Sequence, residues 1–231
     1  MPKSQIKAVV FDAYGTVFDV HSVAKFAEEL FPGKAAALSQ MWRSKQVEYM
    51  FLRTLMGRYI PHDENTEAAL IYSCKQLEIS CEASTRRQLM DAYLRLSPFP
   101  EVVAALDALS DYQRAILSVG TGPMLEETTR NAGIRDKFDK LLSVDEVKVY
   151  KPHPQTYQLV IDTLNVTKSE VSFVTSNYFD VAGAKSFGFN VFWINRSNAI
   201  PDELGLLPDV TLDRLTGLPE GIRDFRRQAT T

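Results

Sequence analysis

The amino-acid sequence predicts an α/β fold, in which a doubly wound parallel sheet carries an inserted helical cap. Six short apolar runs have the length of β-strands, and helical stretches separate most of them. Alternation of strands and helices is typical of a parallel sheet with helices on both faces. The first two strands lie about a hundred residues apart, which is too long for one crossover connection. A separate helical unit is therefore expected between them.

The predicted elements follow one another in an order that fits a Rossmann-like core. Strands are expected at residues 6–11, 115–118, 140–143, 171–175, 191–194 and 210–212. Core helices are expected at residues 124–132, 154–164 and 180–187. In the long interval, apolar residues recur at spacings of three and four, which indicates amphipathic helices. These helices are expected at residues 23–30, 35–59, 64–77 and 84–96.

The helical interval divides the chain into two predicted units. Residues 1–19 and 98–222 are expected to form the α/β core domain, and residues 20–97 the helical cap domain. Residues 223–231 are expected to be a flexible tail. A cap above the strand ends would close a site there and exclude water from it.

Composition narrows the range of partners. The chain has 231 residues and a formal net charge of −3, without a long basic or acidic run, so neither nucleic acid nor an anionic membrane is expected as a partner. The sequence has no secretory pattern and no apolar stretch of about 18 residues, so a cytoplasmic location is expected. The two cysteines, Cys74 and Cys81, match no metal-binding spacing and are expected to be reduced.

A carboxylate stands at the end of the first predicted strand. The apolar residues 9–11 lead directly into Asp12, and Gly15 and Thr16 follow. Ligands of open α/β sheets bind outside the carboxyl ends of the strands. Asp12 is therefore a candidate nucleophile or metal ligand. The alternative is that Asp12 only caps the turn before the next helix.

Three further polar segments stand near predicted strand ends. Ser118 ends the second strand, Lys151 precedes a helix, and residues 175–180 follow the fourth strand and end on Asp180. An aspartate, a serine, a lysine and a late aspartate in this order resemble the four motifs of the haloacid dehalogenase superfamily.

The resemblance is closest to the L-2-haloacid dehalogenases and covers residues from about 6 to about 215. The motifs that carry it are Asp-x-Tyr-Gly-Thr at 12–16, Met-Trp-Arg at 41–43, Tyr-Lys-Pro at 150–152 and Ser-Asn-x-x-Asp at 176–180. The resemblance implies a hydrolase with a covalent aspartyl-ester intermediate.

Two positions differ from the phosphatases of the superfamily. Those enzymes place a second aspartate two residues after the nucleophile, where this chain has Tyr14. They also hold Mg²⁺ with a Gly-Asp pair, where this chain has Ser176 and Asn177. Removing negative charge from a site for a hard cation lowers its affinity. The sequence therefore predicts a metal-free site without a cofactor, in which Lys151 balances the charge of Asp12.

The resemblance implies a mechanism of two steps. Asp12 attacks C2 of a small L-2-substituted carboxylate and expels the leaving group, with inversion. Water held by Asp180 then hydrolyses the aspartyl ester and releases a 2-hydroxy acid. Thr16 and nearby backbone amides are candidate donors to the oxyanion of the ester.

The remaining assignments position these groups or the substrate. Ser118 and neighbouring amides would hold the substrate carboxylate, Lys151 would orient Asp12, and Asn177 would orient Lys151 or the ester. Tyr14 and Thr175 are assigned to the substrate pocket. Tyr157 is assigned to the pocket as well, with core packing as its alternative.

The chain departs from the family pattern at the halide site. The family holds halide with a cap arginine, an asparagine after the serine motif and a cap aromatic residue. Arg43 matches the arginine, but Val119 and His62 stand at the other two positions. Phe179 replaces a tryptophan, and Ser44 replaces a glutamine beside the arginine. One missing donor should raise the barrier to halide release by about 2–4 kcal/mol.

The leading hypothesis for these departures is a different leaving group at the same carbon. His62 would protonate a departing ring nitrogen, as expected for a relative that opens L-azetidine-2-carboxylate to 2-hydroxy-4-aminobutyrate, and Val119 would face the ring. The alternative is an L-2-haloacid dehalogenase whose pocket has drifted and whose His62 is simply packed.

A Mg²⁺-dependent phosphatase and a silent binding module are alternatives of another class. The expected partners are a small carboxylate and water, and the expected state is a monomer or homodimer.

Overall fold

The computed structural model describes residues 5–20 and 22–228 of the chain. Its strands are β1 (Ala8–Phe11), β2 (Gln113–Ser118), β3 (Lys140–Ser143), β4 (Val171–Thr175), β5 (Asn190–Ile194) and β6 (Val210–Leu212). All six predicted strands are confirmed, with small differences at their ends. The residues of β1 and β4 are buried on both faces, as expected for parallel strands covered by helices.

The six strands form one parallel sheet in the order β3-β2-β1-β4-β5-β6. From β1 the chain continues to β2 and β3 on one side of the sheet, and then returns to β4, β5 and β6 on the other. The strand order therefore reverses between β1 and β4. This topological switch point is where open α/β sheets bind their ligands.

Helices connect and cover the strands. Their bounds are α1 (Ser22–Leu30), α2 (Ala35–Leu55), α3 (His62–Gln76), α4 (Ala83–Tyr93), α5 (Val102–Asp107), α6 (Gly122–Asn131), α7 (Pro154–Leu164), α8 (Tyr178–Phe187) and α9 (Leu218–Gln228). No helix among the described residues has the length and apolar character needed to cross a membrane.

Helices α1 to α4 lie between β1 and β2 in the chain and pack against one another. The two segments that join them to the sheet run side by side. The Asp19 backbone N–H donates to the Ser97 carbonyl at 2.9 Å, and the Phe99 N–H donates to the Val17 carbonyl at 3.0 Å. The division into core and cap domains at residues 19/20 and 97/98 stays a prediction, although this pairing lies at that boundary.

The end of the chain differs from the prediction of a flexible tail over residues 223–231. Residues 223–228 belong to α9, and Phe225 is buried against the Phe192 ring at a centroid distance of 5.7 Å. The apolar residues of this helix are spaced to cover β5 and β6, which stabilises the helix through packing. Residues 229–231 lie outside the described part.

Two helices differ from the prediction elsewhere in the chain. Helix α5 is not among the predicted helices, and α2 ends at Leu55 rather than at residue 59.

Candidate active site

Asp12 directly follows β1, at the topological switch point. Its backbone N–H donates to the Val174 carbonyl of β4 at 2.9 Å, which continues the parallel ladder by one residue. The side chain is buried, with 4% of its surface exposed. A buried carboxylate requires hydrogen bonds or a counter-charge, and the neighbouring strand ends supply both.

One oxygen of Asp12 accepts three hydrogen bonds. Thr16 Oγ1 donates to Asp12 Oδ2 at 3.0 Å, Asn177 Nδ2 donates at 2.7 Å, and Thr175 Oγ1 donates at 3.5 Å. Thr16 is fixed in turn, because its Oγ1 accepts from the Ser176 backbone N–H at 2.8 Å. Asn177 also donates to the Tyr14 carbonyl at 3.0 Å, so it contacts the Asp12 loop rather than Lys151.

The other oxygen of Asp12 contacts a buried lysine. Lys151 Nζ donates to Asp12 Oδ1 at 3.2 Å, to Asp180 Oδ2 at 2.8 Å and to the Leu117 carbonyl at 2.7 Å. Only 1% of the Lys151 side chain is exposed. Burial lowers the pKa of Lys151, but the charges of Asp12 and Asp180 outweigh burial and raise it above its usual value. The ammonium is therefore retained between the two carboxylates.

Asp180 is the second carboxylate of the site. It lies in the first turn of α8 and is fully buried. Tyr157 Oη of α7 donates to Asp180 Oδ1 at 2.7 Å. This hydrogen bond joins Tyr157 directly to a predicted catalytic residue. Burial, together with the Asp12 charge, raises the pKa of Asp180 to about 6, against the lowering effect of Lys151. A carboxyl group with this pKa is suited to accept a proton near neutral pH.

A glycine allows Tyr157 to reach Asp180. A Cβ atom on Gly183 of α8 would overlap the Tyr157 hydroxyl and would lie 2.5 Å from Pro152 Cβ. Real Cβ contacts do not reach these separations, so only glycine permits α7 and α8 to approach this closely.

The helical region contributes Arg43 to the site. Arg43 lies on α2 and is half-buried, and its Nη2 donates to Asn177 Oδ1 at 3.2 Å. The next residue, Ser44, is exposed. The neighbouring Trp42 is buried and donates from Nε1 to the Thr66 carbonyl of α3 at 2.8 Å. Trp42 thus joins α2 to α3 and fixes the face of α2 from which Arg43 extends.

Tyr14 and His62 form a stacked pair beside Arg43. Their ring centroids are 5.7 Å apart at an interplanar angle of 30°, and both residues are buried. The Tyr14 hydroxyl and both His62 nitrogens have no hydrogen-bond partner among the described residues. Burial, with a smaller contribution from the Arg43 charge, lowers the pKa of His62 to about 3. A proton donor must be protonated near neutral pH, so the lowered pKa disfavours the predicted role of His62 as the acid for a leaving amine, which stays a prediction.

Ser118 ends β2 and Val119 begins the loop after it, and their assignment to substrate binding stays a prediction. Ser118 is buried, and its Oγ accepts from the Gly120 N–H at 3.1 Å. The Ser118 hydroxyl hydrogen therefore stays available to a ligand. The Tyr14 hydroxyl packs so closely over Gly120 that a Cβ there would lie 2.7 Å from it. Val119, between these two residues, is buried and offers an apolar side chain where the family has an amide.

Phe179 lies at the outer edge of this arrangement. It is half-buried, and its ring meets Phe51 of α2 edge-to-face at 5.3 Å. Both rings line an open groove between α2 and α8. The structure records no contact between the Phe179 side chain and Asp12 among the described residues, so its assignment to substrate binding stays a prediction.

The sequence analysis does not include Arg196, which holds the loop after Asp12 through the backbone carbonyls of Gly15 and Thr16. Arg196 Nη1 donates to the Gly15 carbonyl at 3.2 Å and to Ser176 Oγ at 3.0 Å. Its Nη2 donates to the Thr16 carbonyl at 3.0 Å and to Glu101 Oε1 at 3.0 Å. Arg196 follows β5 by two residues, so the rule that polar residues at strand ends build the site was a usable signal.

The residues around Asp12 do not fit a magnesium ion. Lys151 Nζ pairs with both the Asp12 and the Asp180 carboxylate, so an ammonium already balances these charges. Asn177 and Tyr14 replace the two carboxylates that the phosphatases use. Within residues 5–20 and 22–228, no cluster of three or more His, Cys, Asp or Glu side chains is arranged to hold a metal.

Comparison with known proteins agrees with this geometry. Residues 6–188 match the family model of the haloacid dehalogenase-like hydrolases. The chain is 45% identical over 210 residues to haloacetate dehalogenase H-2 of Moraxella sp. (strain B), covering 90% of this chain and 94% of that protein. It is also 45% identical over 217 residues to the (S)-2-haloacid dehalogenase of Pseudomonas sp. (strain YL), covering 93% and 94% of the two chains.

A solved structure of an L-2-haloacid dehalogenase also resembles this chain. The L-2-haloacid dehalogenase of Xanthobacter autotrophicus, with chloropropionic acid covalently bound, superposes with a TM-score of 0.90. The two sequences are 41% identical, and the match covers 95% of this chain and 99% of that one. The chain therefore belongs to the haloacid dehalogenase-like hydrolases and is an enzyme of the L-2-haloacid dehalogenase type.

Proposed function

We propose that the enzyme hydrolyses small L-2-haloacids to 2-hydroxy acids and halide without a metal ion. The observation that carries this proposal is the buried arrangement of Asp12, Lys151 and Asp180, in which one ammonium bridges two carboxylates. The buried Lys151 ammonium balances the charge of the nucleophile and of the second carboxylate. The names of the relatives, which are haloacetate and (S)-2-haloacid dehalogenases, support halide as the leaving group.

In the first step, Asp12 Oδ1 attacks C2 of the substrate. Oδ1 accepts one hydrogen bond and Oδ2 accepts three, so Oδ1 has the more available lone pair. The Oδ1–C2 bond forms while the C2–halogen bond breaks, and the halogen leaves with the electron pair. The Ser118 hydroxyl, which the Gly120 N–H orients, and the backbone amide of residue 119 hold the substrate carboxylate near the N-terminus of α6, where such amides favour anions.

In the second step, water attacks the Asp12 carbonyl carbon. Asp180 accepts the proton of this water, and Tyr157 and Lys151 hold Asp180 in place. Negative charge develops on Oδ2, where Thr16 and Asn177 already donate hydrogen bonds. Donors placed before the charge develops lower the barrier, because they need no reorganisation during the step. The bond between Asp12 Cγ and Oδ1 breaks, and the proton taken from water passes from Asp180 to Oδ1, which is now the oxygen of the product. The 2-hydroxy acid leaves with inverted configuration.

The ring-opening hypothesis has less support. An amine leaving group needs a proton, and His62 is neutral because burial lowers its pKa to about 3. Tyr93 meets the Tyr14 ring and Tyr150 meets the His62 ring, each at a centroid distance of 6.0 Å. Burial raises the pKa of both hydroxyls, so neither supplies a proton near neutral pH. Halide leaves without a proton, so it fits a neutral His62.

Turnover of three substrates by the purified enzyme tests the proposal. With EDTA present, L-2-chloropropionate should give chloride and D-lactate in equal amounts, whereas D-2-chloropropionate and L-azetidine-2-carboxylate should give no product. Asp12→Asn should release no chloride while keeping the circular-dichroism spectrum of the parent. Absence of chloride release by the parent enzyme would contradict the proposal.

Isotope transfer tests the covalent step. In a single turnover in H₂¹⁸O with enzyme in excess, the hydroxyl of the product should contain ¹⁶O, and the peptide with Asp12 should gain one ¹⁸O. Direct transfer of ¹⁸O to lactate in the first turnover would mean that water, rather than Asp12, attacks C2.

A further inference from the structure

The residues that precede Lys151 are bonded to the helical region. We call residues 144–151 the lysine loop. Tyr150, which directly precedes Lys151, is fully buried. Its carbonyl accepts from the His153 N–H at 3.0 Å, and its backbone N–H donates to Thr54 Oγ1 of α2 at 3.0 Å. The backbone of Tyr150 is therefore bonded once beside Lys151 and once to helix α2.

Tyr150 and Lys151 face opposite parts of the molecule. The Tyr150 hydroxyl donates to the Ile60 carbonyl at 2.8 Å, and its ring lies 4.9 Å from the Tyr59 ring between centroids. Both contacts are with the segment between α2 and α3. The Lys151 ammonium instead donates to the Leu117 carbonyl at the carboxyl edge of the sheet, at 2.7 Å. One planar peptide group joins the two residues, so a displacement of Tyr150 also displaces Lys151.

Thr54 supplies the acceptor that fixes the backbone of Tyr150. It lies in the last turn of α2 and is half-buried. Its hydroxyl accepts a hydrogen bond through a lone pair, which a valine of the same shape lacks. Without this acceptor the N–H of a buried residue would stay unpaired, which is costly. The lysine loop would then move until the N–H reaches another partner.

The position of Lys151 has to be accurate, because its ammonium meets the Asp12 and Asp180 carboxylates at 3.2 and 2.8 Å. Building on the proposed function, we propose that Thr54 is a positioning residue, which holds the Tyr150 backbone from the helical region and thereby places Lys151 between the two carboxylates. In the first step the ammonium orients the nucleophile. In the second step it holds the carboxylate that receives the proton of water.

The ionisation of Asp180 reports where Lys151 lies. The groups that face Asp180 are Lys151, Asp12 and the Tyr157 hydroxyl. Burial raises the pKa of Asp180, and Lys151 opposes this effect through its charge and its hydrogen bond. If Lys151 moves away, the opposing effect weakens and the pKa of Asp180 rises.

The first test is a pH titration of Asp180 in the free protein, which needs no turnover. ¹³C NMR follows the carboxyl carbons of the aspartates, and Asp180→Asn identifies the signal of Asp180. In the parent its midpoint should lie near pH 6. Thr54→Val should raise the midpoint by about 0.5 pH unit or more, whereas Thr54→Ser, which keeps the acceptor, should restore it. An unchanged midpoint in Thr54→Val would overturn the proposal.

A matched control breaks another hydrogen bond between the same two regions. Tyr59 donates from its hydroxyl to Asp145 Oδ1 at 2.9 Å, at the other end of the lysine loop from Lys151. Tyr59→Phe should leave the midpoint of Asp180 in place. An equal rise in Tyr59→Phe and Thr54→Val would mean that the general contact between the two regions, and not the Thr54 hydroxyl, places Lys151.

A double variant tests whether Thr54 acts through Lys151. Lys151→Met should raise the midpoint of Asp180 more than Thr54→Val does, and adding Thr54→Val to Lys151→Met should raise it no further. A further rise of the same size as in the single variant would mean that Thr54 reaches Asp180 by another route, which would contradict the proposal.

The kinetic test uses L-2-chloropropionate. In Thr54→Val, kcat/KM should fall about tenfold, since a small misplacement of a catalytic group has a large effect, and the acid limb of the kcat profile should move to higher pH with the carboxyl midpoint. Thr54→Ser should retain most of the parent activity. A stability loss in Thr54→Val without a change in either pH midpoint would assign Thr54 a purely structural role and overturn the proposal. A parent enzyme that releases no halide would instead contradict the proposed function, while the carboxyl titration still decides whether Thr54 positions Lys151.

Discussion

Asp12 is surrounded by two groups of buried polar side chains that differ in how their hydrogen bonds are satisfied. The sheet-edge group, which comprises Asp12, Thr16, Lys151, Tyr157 and Asp180, is connected by hydrogen bonds of 2.7–3.2 Å. A second set, which we call the cap-facing group, consists of Tyr14, Gln46, His62 and Thr66, and every member has an unpaired polar atom among the described residues. The difference indicates that the sheet edge is organised before substrate binds, whereas the cap-facing group keeps hydrogen-bonding capacity that the free protein does not use. Catalysis favours the first arrangement, because pre-oriented donors need no rearrangement in the transition state.

The most severe test of the sheet-edge group is Lys151→Met. This change leaves the carboxylates of Asp12 and Asp180 buried without their cation, and breaking a buried ion pair costs about 3–5 kcal/mol of unfolding free energy. Halide release should fall by about 10²- to 10³-fold. Urea unfolding and steady-state kinetics measure the two effects.

Lys148→Met is the matched control, because Lys148 is exposed, pairs with Asp145 at 2.8 Å and lies over the Tyr59 ring at 5.4 Å. Its unfolding free energy should change by less than about 1 kcal/mol. A similar loss in both variants would mean that the buried arrangement contributes no more than a surface pair.

Gly183→Ala tests the close packing that positions Tyr157. The new Cβ would overlap the Tyr157 hydroxyl, so α7 and α8 must separate and the hydrogen bond to Asp180 must lengthen. We expect a loss of about 1–3 kcal/mol in stability and a fall in kcat of about tenfold or more, since misplacement of a catalytic group has a large effect. Gly122→Ala has open space around its Cβ and should change neither quantity. Equal behaviour of the two variants would contradict the positioning role.

The pH dependence of kcat tests Asp180 as the base for hydrolysis. Its pKa is raised from 3.8 to about 6, first by burial and then by the Asp12 charge, so kcat should decline as the pH falls below about 6. The Tyr157 hydrogen bond lowers this pKa. Tyr157→Phe should therefore move the acid limb of the profile to higher pH, whereas Tyr178→Phe, which loses a hydrogen bond to the Leu206 carbonyl, should leave it in place. An acid limb that does not move would assign the ionisation to another group.

The raised pKa of Asp180 also affects the stability of the fold. Because Asp180 binds its proton more tightly in the folded state, the folded protein holds more protons than the unfolded chain between about pH 4 and pH 6. The contribution of Asp180 to stability is therefore present below about pH 4 and is lost as the pH rises through about 6. In Asp180→Asn this part of the pH dependence of the unfolding free energy should disappear.

The sheet-edge group could be predicted because one rule generates it. Parallel strands end at the same edge, so Asp12, Lys151 and Asp180 converge whenever the apolar runs before them are strands. The same rule could have found Arg196, which follows β5. The need for glycine at 183 depends on how α7 and α8 approach in three dimensions, which local patterns do not encode. His62 shows the limit most clearly. Its position in the sequence suggested an acid, but its neutral state results from burial beside Arg43, and burial is a property of the assembled fold.

The smallest expected effect addresses the cap-facing group. Thr66 Oγ1 is buried without a partner among the described residues, whereas Thr129 Oγ1, equally buried, donates to the Leu125 carbonyl at 2.6 Å. Replacing an unpaired hydroxyl by a methyl group removes a desolvation cost, so Thr66→Val should leave the unfolding free energy unchanged or raise it by up to about 1 kcal/mol. Thr129→Val should lower it by about 1 kcal/mol, since the Leu125 carbonyl loses a donor. Urea unfolding of both variants in the absence of substrate makes the comparison. A loss in Thr66→Val as large as that in Thr129→Val would mean that the cap-facing group is already satisfied in the free enzyme, and the contrast between the two sides of Asp12 would no longer hold.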